Sequence, residues 1–204
     1  MREIKLEGNN EENIMTTRSI QSRMIFLIFA FLFCIQDLYG QESDNTGNNK
    51  IYKHAIDFSP LSPLFRIYAL QYNYRITPKN ELILGAAYTN IQYDFGNTNA
   101  VTFILGYRRY IFNKVHLEYQ LWFDYDRFYE KNELKYYNGF DLWNEFRLGY
   151  HYDFKISQIP CFINFQWPFG FGLYAENKPE SFKKHERKNR FFYFPPMFFI
   201  GVRF

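Results

Sequence analysis

The chain has 204 residues, of which 47% are hydrophobic and 23% aromatic, and it carries a formal net charge of +3. That length suggests one domain, and a mild, dispersed positive charge supplies none of the basic stripe that nucleic-acid binding needs. A helical membrane protein is excluded too. Mean hydropathy is only -0.40, and the one continuous apolar run, Met24 to Ile35, falls short of the roughly 18 residues that a spanning helix requires.

That run has the length of a secretory signal's hydrophobic region, with Arg18 and Arg23 before it and small Gly40 after it. Residues 1–40 are therefore expected to be a signal peptide cleaved after Gly40. The polar, acidic segment before Met15 is unusual for a leader, so Met15 and Met24 stand as alternative starts. Cys34 would leave with the leader, and bulky Phe33 before it argues against lipoprotein processing. Cys161 would then be alone, so no intramolecular disulfide is expected. The four histidines, His54, His116, His151 and His185, lie far apart and form no metal-ligand spacing. Neither metal nor cofactor is expected.

Residues 41–50 are polar and read as a flexible tail. Ile51 to Phe58 is a weak strand ended by Ser59-Pro60-Leu61-Ser62-Pro63. Leu64 to Ile76 alternates cleanly near its end and meets a turn at Thr77–Asn80. Leu82 to Tyr93 is the third strand, followed by a loop at Asp94–Asn99. The fourth strand covers Val101 to Arg108, and Asn113-Lys114 turns the chain. Val115 to Tyr125 gives the clearest pattern: Val115, Leu117, Tyr119, Leu121, Phe123 and Tyr125 share one face, and His116, Glu118, Gln120, Trp122 and Asp124 the other. Eleven residues at period 2 match a tilted bilayer-crossing strand of roughly 9–11 residues. A loop at Glu130–Asn138, strands at Phe140–Phe154 and Cys161–Phe171, and a turn at Lys155–Gln158 come next. Glu176 to Arg190 reads as an exposed, charged loop. Phe191 to Phe204 is the last strand, with Pro195-Pro196 at a bulge or above the membrane edge.

This makes eight strands whose connections alternate, the second, fourth and sixth being short and the others longer. Outer-membrane barrels pair short periplasmic turns with longer extracellular loops. Volume decides which face points inward. An eight-stranded interior is only wide enough for side chains to fill, and the many large apolar residues on one face could not pack there. They face outward, against lipid. The fold expected is an all-β, eight-stranded, antiparallel transmembrane β-barrel over residues 51–204.

The leader, the eight strands and the C-terminal Ile200-Gly201-Val202-Arg203-Phe204 resemble those of small outer-membrane barrels of the OmpA/OmpX type. The resemblance is architectural and matches no functional motif. It implies a bacterial outer membrane and a role for Phe204 as the signal read by the barrel-assembly machinery. An aromatic-rich barrel with Gln41 directly after the cleavage site resembles those of Bacteroidetes.

The inward positions Arg75, Arg108, His116, Glu118, Glu145, Arg147, His151 and Asp153 are expected to form a polar network plugging the lumen, because unpaired buried charge is costly. Lys183, Lys184, Arg187 and Lys188 form a basic cluster suited to the anionic headgroups of lipopolysaccharide. Ser181, His185 and Glu186 occur together but on a loop ill-suited to hold a triad. No His-x-Ser pair, of the kind found in one type of lipid A deacylase, is present: His116 precedes Leu117-Glu118 and His151 precedes Tyr152-Asp153. The expected function is non-enzymatic, structural or surface-interacting. The alternatives are a narrow pore for ions or small solutes, and a lipid A or phospholipid acyl-modifying enzyme. Expected partners are outer-membrane lipids, lipopolysaccharide and the assembly machinery, with no nucleic acid.

Overall fold

The computed structural model describes residues 52–112, 114–193 and 195–204. The expected leader and tail, and the cleavage position, lie outside the described residues. The elements in chain order are β1 (His54–Phe58), β2 (Ile67–Thr77), β3 (Asn80–Tyr93), β4 (Gly96–Phe112), β5 (Val115–Glu130), β6 (Lys135–Ile156), β7 (Ile159–Glu176), the helix α1 (Glu180–Lys188), β8 (Phe192–Tyr193) and β9 (Met197–Arg203). Consecutive strands from β1 to β7 pair antiparallel, β7 pairs with β9, and β9 pairs with β1. Eight strands thus close into a ring, with two-residue β8 lying along β7 above β9. Ring closure satisfies the backbone groups that an open sheet would leave on its edges.

Because side chains alternate across each strand, the ring has two distinct faces. Inward-pointing Ile83, Ile104, Arg108, His116, Gln120 and Asn164 are at most 1% exposed, whereas outward Val101, Phe103, Tyr125, Leu148 and Trp167 are 52–64% exposed. Polar and charged side chains outnumber apolar ones among the buried residues. The molecule is inverted relative to an ordinary core, as the narrow interior of eight strands requires. On the outward side an amide, Asn144, donates 2.7 Å to the Phe171 carbonyl, beside the register shift between Leu142 and Trp143. Cys161 also projects outward, paired between Phe154 and Val202, and its neighbours leave it 5% exposed. No helix among the described residues is long and apolar enough to cross a membrane, which says nothing of strands.

Three expected loops differ in the structure. At Asp94–Asn99 and Glu130–Asn138 the strands run on, with pairing as far as Tyr93↔Gly96 and Glu130↔Lys135. Outward Asn97, Asn99, Arg127 and Asn138 break the apolar alternation without breaking the ladder, because backbone hydrogen bonds do not require apolar side chains. The third and fifth connections are consequently short, and the polar excess sits in the upper strands. Glu176–Arg190 is not a loop throughout, since Glu180–Lys188 is helical with Phe182 buried. Pro195-Pro196 does fall at an irregularity. Pairing moves there from Phe169↔Tyr193 to Gln166↔Met197, a one-residue offset.

Candidate functional site: a charged interior under a helical cap

Register places the interior charges in layers. Arg108 lies on β4 between Glu81 of β3 and Glu118 of β5, each its direct cross-strand partner. Its Nη1 donates to Glu81 Oε2 at 2.9 Å, its Nε donates to Glu118 Oε2 at 2.6 Å, and its Nη2 stands 3.9 Å from Asp57 Oδ2. Glu118 also accepts from Arg147 Nη1 at 3.2 Å, Gln120 Nε2 at 2.7 Å and Gln166 Nε2 at 3.0 Å. Arg147 Nε donates to Glu145 at 2.7 Å. Arg75 closes the other side on Glu81 at 2.6 Å. Each cation thus meets at least one carboxylate, the condition under which buried charge is tolerable.

Below this layer, toward the end where β2–β3, β4–β5 and β6–β7 turn, the histidines sit against aromatic and charged groups. His151 Nδ1 lies 2.5 Å from Asn164 Oδ1, and its Nε2 lies 2.7 Å from Arg203 Nη2 and 2.9 Å from Asp153 Oδ1. An arginine can only donate. Arg203 and the acceptor-only Asp153 carboxylate thus share Nε2, while Nδ1 faces Asn164. His116 packs 5.4 Å from the Tyr110 ring. Gly149 makes room for it: a Cβ there would collide with the His116 imidazole.

Above the charge layer, Trp122 Nε1 donates 2.9 Å to Gln120, Thr102 bonds Asp124, and Thr98 bonds Asp126. The helix α1 covers this end. Phe182 inserts among Tyr93, Phe95 and Phe128, with ring centroids 5.5, 4.9 and 5.0 Å away. Lys178 pairs with Asp141 and, at 2.8 Å, with Glu186. Ser181 donates to Glu130. Gly172 admits Glu186, whose carboxylate occupies the space a Cβ would take at that position. Burial works against the Lys178 ammonium, yet the Asp141 and Glu186 carboxylates outweigh it and hold the group above its ordinary range.

The eight residues expected in the interior network all fall on inward positions of their strands, but Asp153 lies at the rim with its side chain 63% exposed. Arg75, Arg108, Glu118, Glu145 and Arg147 meet in one connected set. His151 and Asp153 form a second set with Arg203, and His116 touches the first through Gln166 at 3.3 Å. Sequence reasoning missed Glu81 and Asp57. Glu81 stands one residue before the expected start of the third strand at Leu82; in the true register it follows the turn and faces Arg108. The basic cluster lies on α1, where Lys184, Arg187 and Lys188 are exposed and Lys183 half-buried. Arg187 is engaged by Glu180, whose carboxyl it lowers through that hydrogen bond. Ser181, His185 and Glu186 do not converge: Ser181 is on Glu130, His185 on the rings of Tyr93 and Phe95, and Glu186 on Lys178. Phe204 is 57% exposed and stacks on His54 at 5.7 Å. Its backbone exchanges hydrogen bonds with His54, 2.9 and 3.2 Å long, at the seam where the ring closes.

Comparison with protein-family models, curated proteins and solved structures finds no match for this chain.

Proposed function

We propose that the chain is a transmembrane β-barrel of a bacterial outer membrane whose interior is a structural plug and whose role is exerted at its outer surface. The observation that carries this reading is the inverted ring, with large apolar residues exposed around the outside and paired charges filling the inside. An exposed apolar surface of this extent is stable only against lipid. The belt has suitable height. From Val115 to Tyr125 the outward residues of β5 cover about 34 Å of strand, or about 26 Å at the usual tilt of roughly 40°, against the ~25 Å apolar band of such barrels. Above it the outward face turns polar at Asn90, Gln92, Asn97, Asn99, Arg127 and Asn138.

The filled interior speaks against conduction, and the dispersal of Ser181, His185 and Glu186 speaks against a catalytic triad on α1. The outer surface carries Lys183, Lys184 and Lys188 beside Arg187, a charge pattern suited to the phosphates of lipopolysaccharide. Reconstitution in a planar bilayer tests the reading against a pore: no unitary conductance is expected, and a steady channel would overturn it. Mass spectrometry of lipid A from cells with and without the protein tests it against acyl chemistry, where an altered acyl pattern would overturn it.

A further inference from the structure

The ring has one weak place in its wall. β1 pairs with β2 and β9 only as far as Phe58, opposite Leu70 and Ile200. Above that height no strand lies between Ile67–Ala69 of β2 and Met197–Phe199 of β9. The chain instead leaves through Ser59 and a short 3-10 helix at Ser62–Phe65, returning at Arg66 with a left-handed φ of 59°. Prolines crowd this height: Pro60 and Pro63 in the strap, Pro195 and Pro196 above β9, and Pro168 opposite the break in β7's partner strand. A proline has no N–H for a ladder, so none of these positions can be zipped closed by sheet hydrogen bonds from its own nitrogen.

Behind the strap is a partly enclosed cavity of about 20 Å³, lined by apolar Ile67, Ala69, Trp122, Met197 and Phe199, by polar Ser59, Ser62 and Gln71, and by the Glu145–Arg147 ion pair. Gln71 is 1% exposed, and neither its amide oxygen nor its amide nitrogen has a partner; the Ser59 hydroxyl, 2% exposed, has none either. Leaving both ends of a buried amide unpaired costs free energy, so the site favours a group that donates and accepts at once. A hydroxyl does both, a carboxylate only accepts, and a hydrocarbon does neither. The volume holds one or two water-sized groups. On the outside, the strap presents Leu61, Leu64 and Phe65 at 40, 77 and 42% exposed, a lip on which a hydrocarbon chain can lie.

From this juxtaposition we infer that the notch above β1 is a lateral entrance from the lipid phase, and that the cavity behind it binds the hydroxyl of a single-chain amphiphile. The hydroxyl bonds Gln71 and Ser59, and the chain passes the strap to rest on Leu61, Leu64 and Phe65. This rests on the bilayer reading of the belt.

Met197 lines the cavity and is the only methionine outside the first 24 residues, so a methyl-labelled methionine signal, assigned by its loss in Met197→Leu, reports on the site. The full chain, folded in detergent micelles, is titrated with 1-decanol, with decane and decanoate as controls. A saturable shift of the Met197 signal with decanol is expected, absent with decane and weaker with decanoate. Gln71→Leu should weaken the decanol response about tenfold, and Ser59→Ala should weaken it less. Folding of each variant is checked by heat-modifiable gel mobility. An unmoved signal in folded protein, or equal shifts with decanol and decane, overturns the site and leaves resident water as its occupant. A chain that stays folded and monodisperse without detergent overturns the bilayer reading, whatever the signal does.

Discussion

Arg108 is the residue on which the interior depends most. It is 1% exposed and faces Glu81, Glu118 and Asp57. Arg108→Met removes their shared cation and leaves buried carboxylates undercompensated, at an expected cost of about 3–5 kcal/mol. Glu145→Gln takes one partner from Arg147 while Glu118 remains, and its side chain is 15% exposed, so about 1 kcal/mol is expected. Urea unfolding of refolded protein measures both, and equal losses would show that the network is not centred on Arg108. On the outer face, Leu121→Arg is expected to cost about 2–4 kcal/mol in a bilayer, as charges do on a barrel's lipid side. The same substitution at outward Asn97, above the apolar belt, should cost under about 1 kcal/mol.

At the scale of elements, α1 is a cap whose main apolar anchor is Phe182, tied down as well by Lys178 on Glu186, Ser181 on Glu130 and His185 on the rings of Tyr93 and Phe95. Phe182→Ala empties the space between Tyr93, Phe95 and Phe128, and α1 amides are then expected to exchange with solvent at least tenfold faster while the ring's amides keep their protection. Uniform acceleration would mean that α1 is integral to the ring rather than laid on it. The Lys178 tie has a definite pH sense. Its folded pKa lies above the unfolded value, so its contribution is complete below about pH 10.4 and is lost as pH rises through the raised value. Trp143, whose ring lies 5.7 Å from Lys178 Nζ, reports this by fluorescence. Emission should hold from about pH 8 to about pH 10 and change only above that; a change already complete by about pH 9 would contradict the assignment. The seam between β1 and β9 is the shortest closure in the ring, and Phe204 extends it through its hydrogen bonds to His54. Deleting Phe204 should therefore lower the stability of refolded protein. It should reduce the amount inserted in cells further still if assembly reads the residue. Equal losses would leave Phe204 with the seam role alone.

Across the whole molecule, the features legible in the sequence are those that alternation carries. The eight strands, the inward set from Arg75 to Asp153 and the irregularity at Pro195-Pro196 all come from side-chain period and proline chemistry. Strand ends are hidden where outward residues change from Leu and Phe to Asn and Arg, because the ladder outlasts the apolar pattern at Asn97, Asn99 and Asn138. The cap is hidden for a related reason. A nine-residue helix with one apolar anchor, Phe182, shows no apolar stripe; its only sign is a lone phenylalanine within a charged stretch. The notch is invisible because it depends on how far β1 pairs, a matter of register between segments more than a hundred residues apart in the chain.

On the bilayer reading, the outward belt faces lipid while the ring's interior does not. Single nitroxide labels placed along β4 and β5, at Leu105, Phe103, Val101, Asn99 and Asn97 and at Leu117, Leu121, Tyr125 and Arg127, measure this directly in reconstituted vesicles. Collision rates with apolar oxygen and with a water-soluble nickel chelate give the depth of each site. Oxygen access is expected to be highest near Leu105 and Leu121 and to fall toward both ends of the belt, with nickel access dominant by Asn97 and Arg127. Nickel access that is high and uniform at every outward site, or an oxygen maximum at Asn97, would contradict the lipid-facing belt.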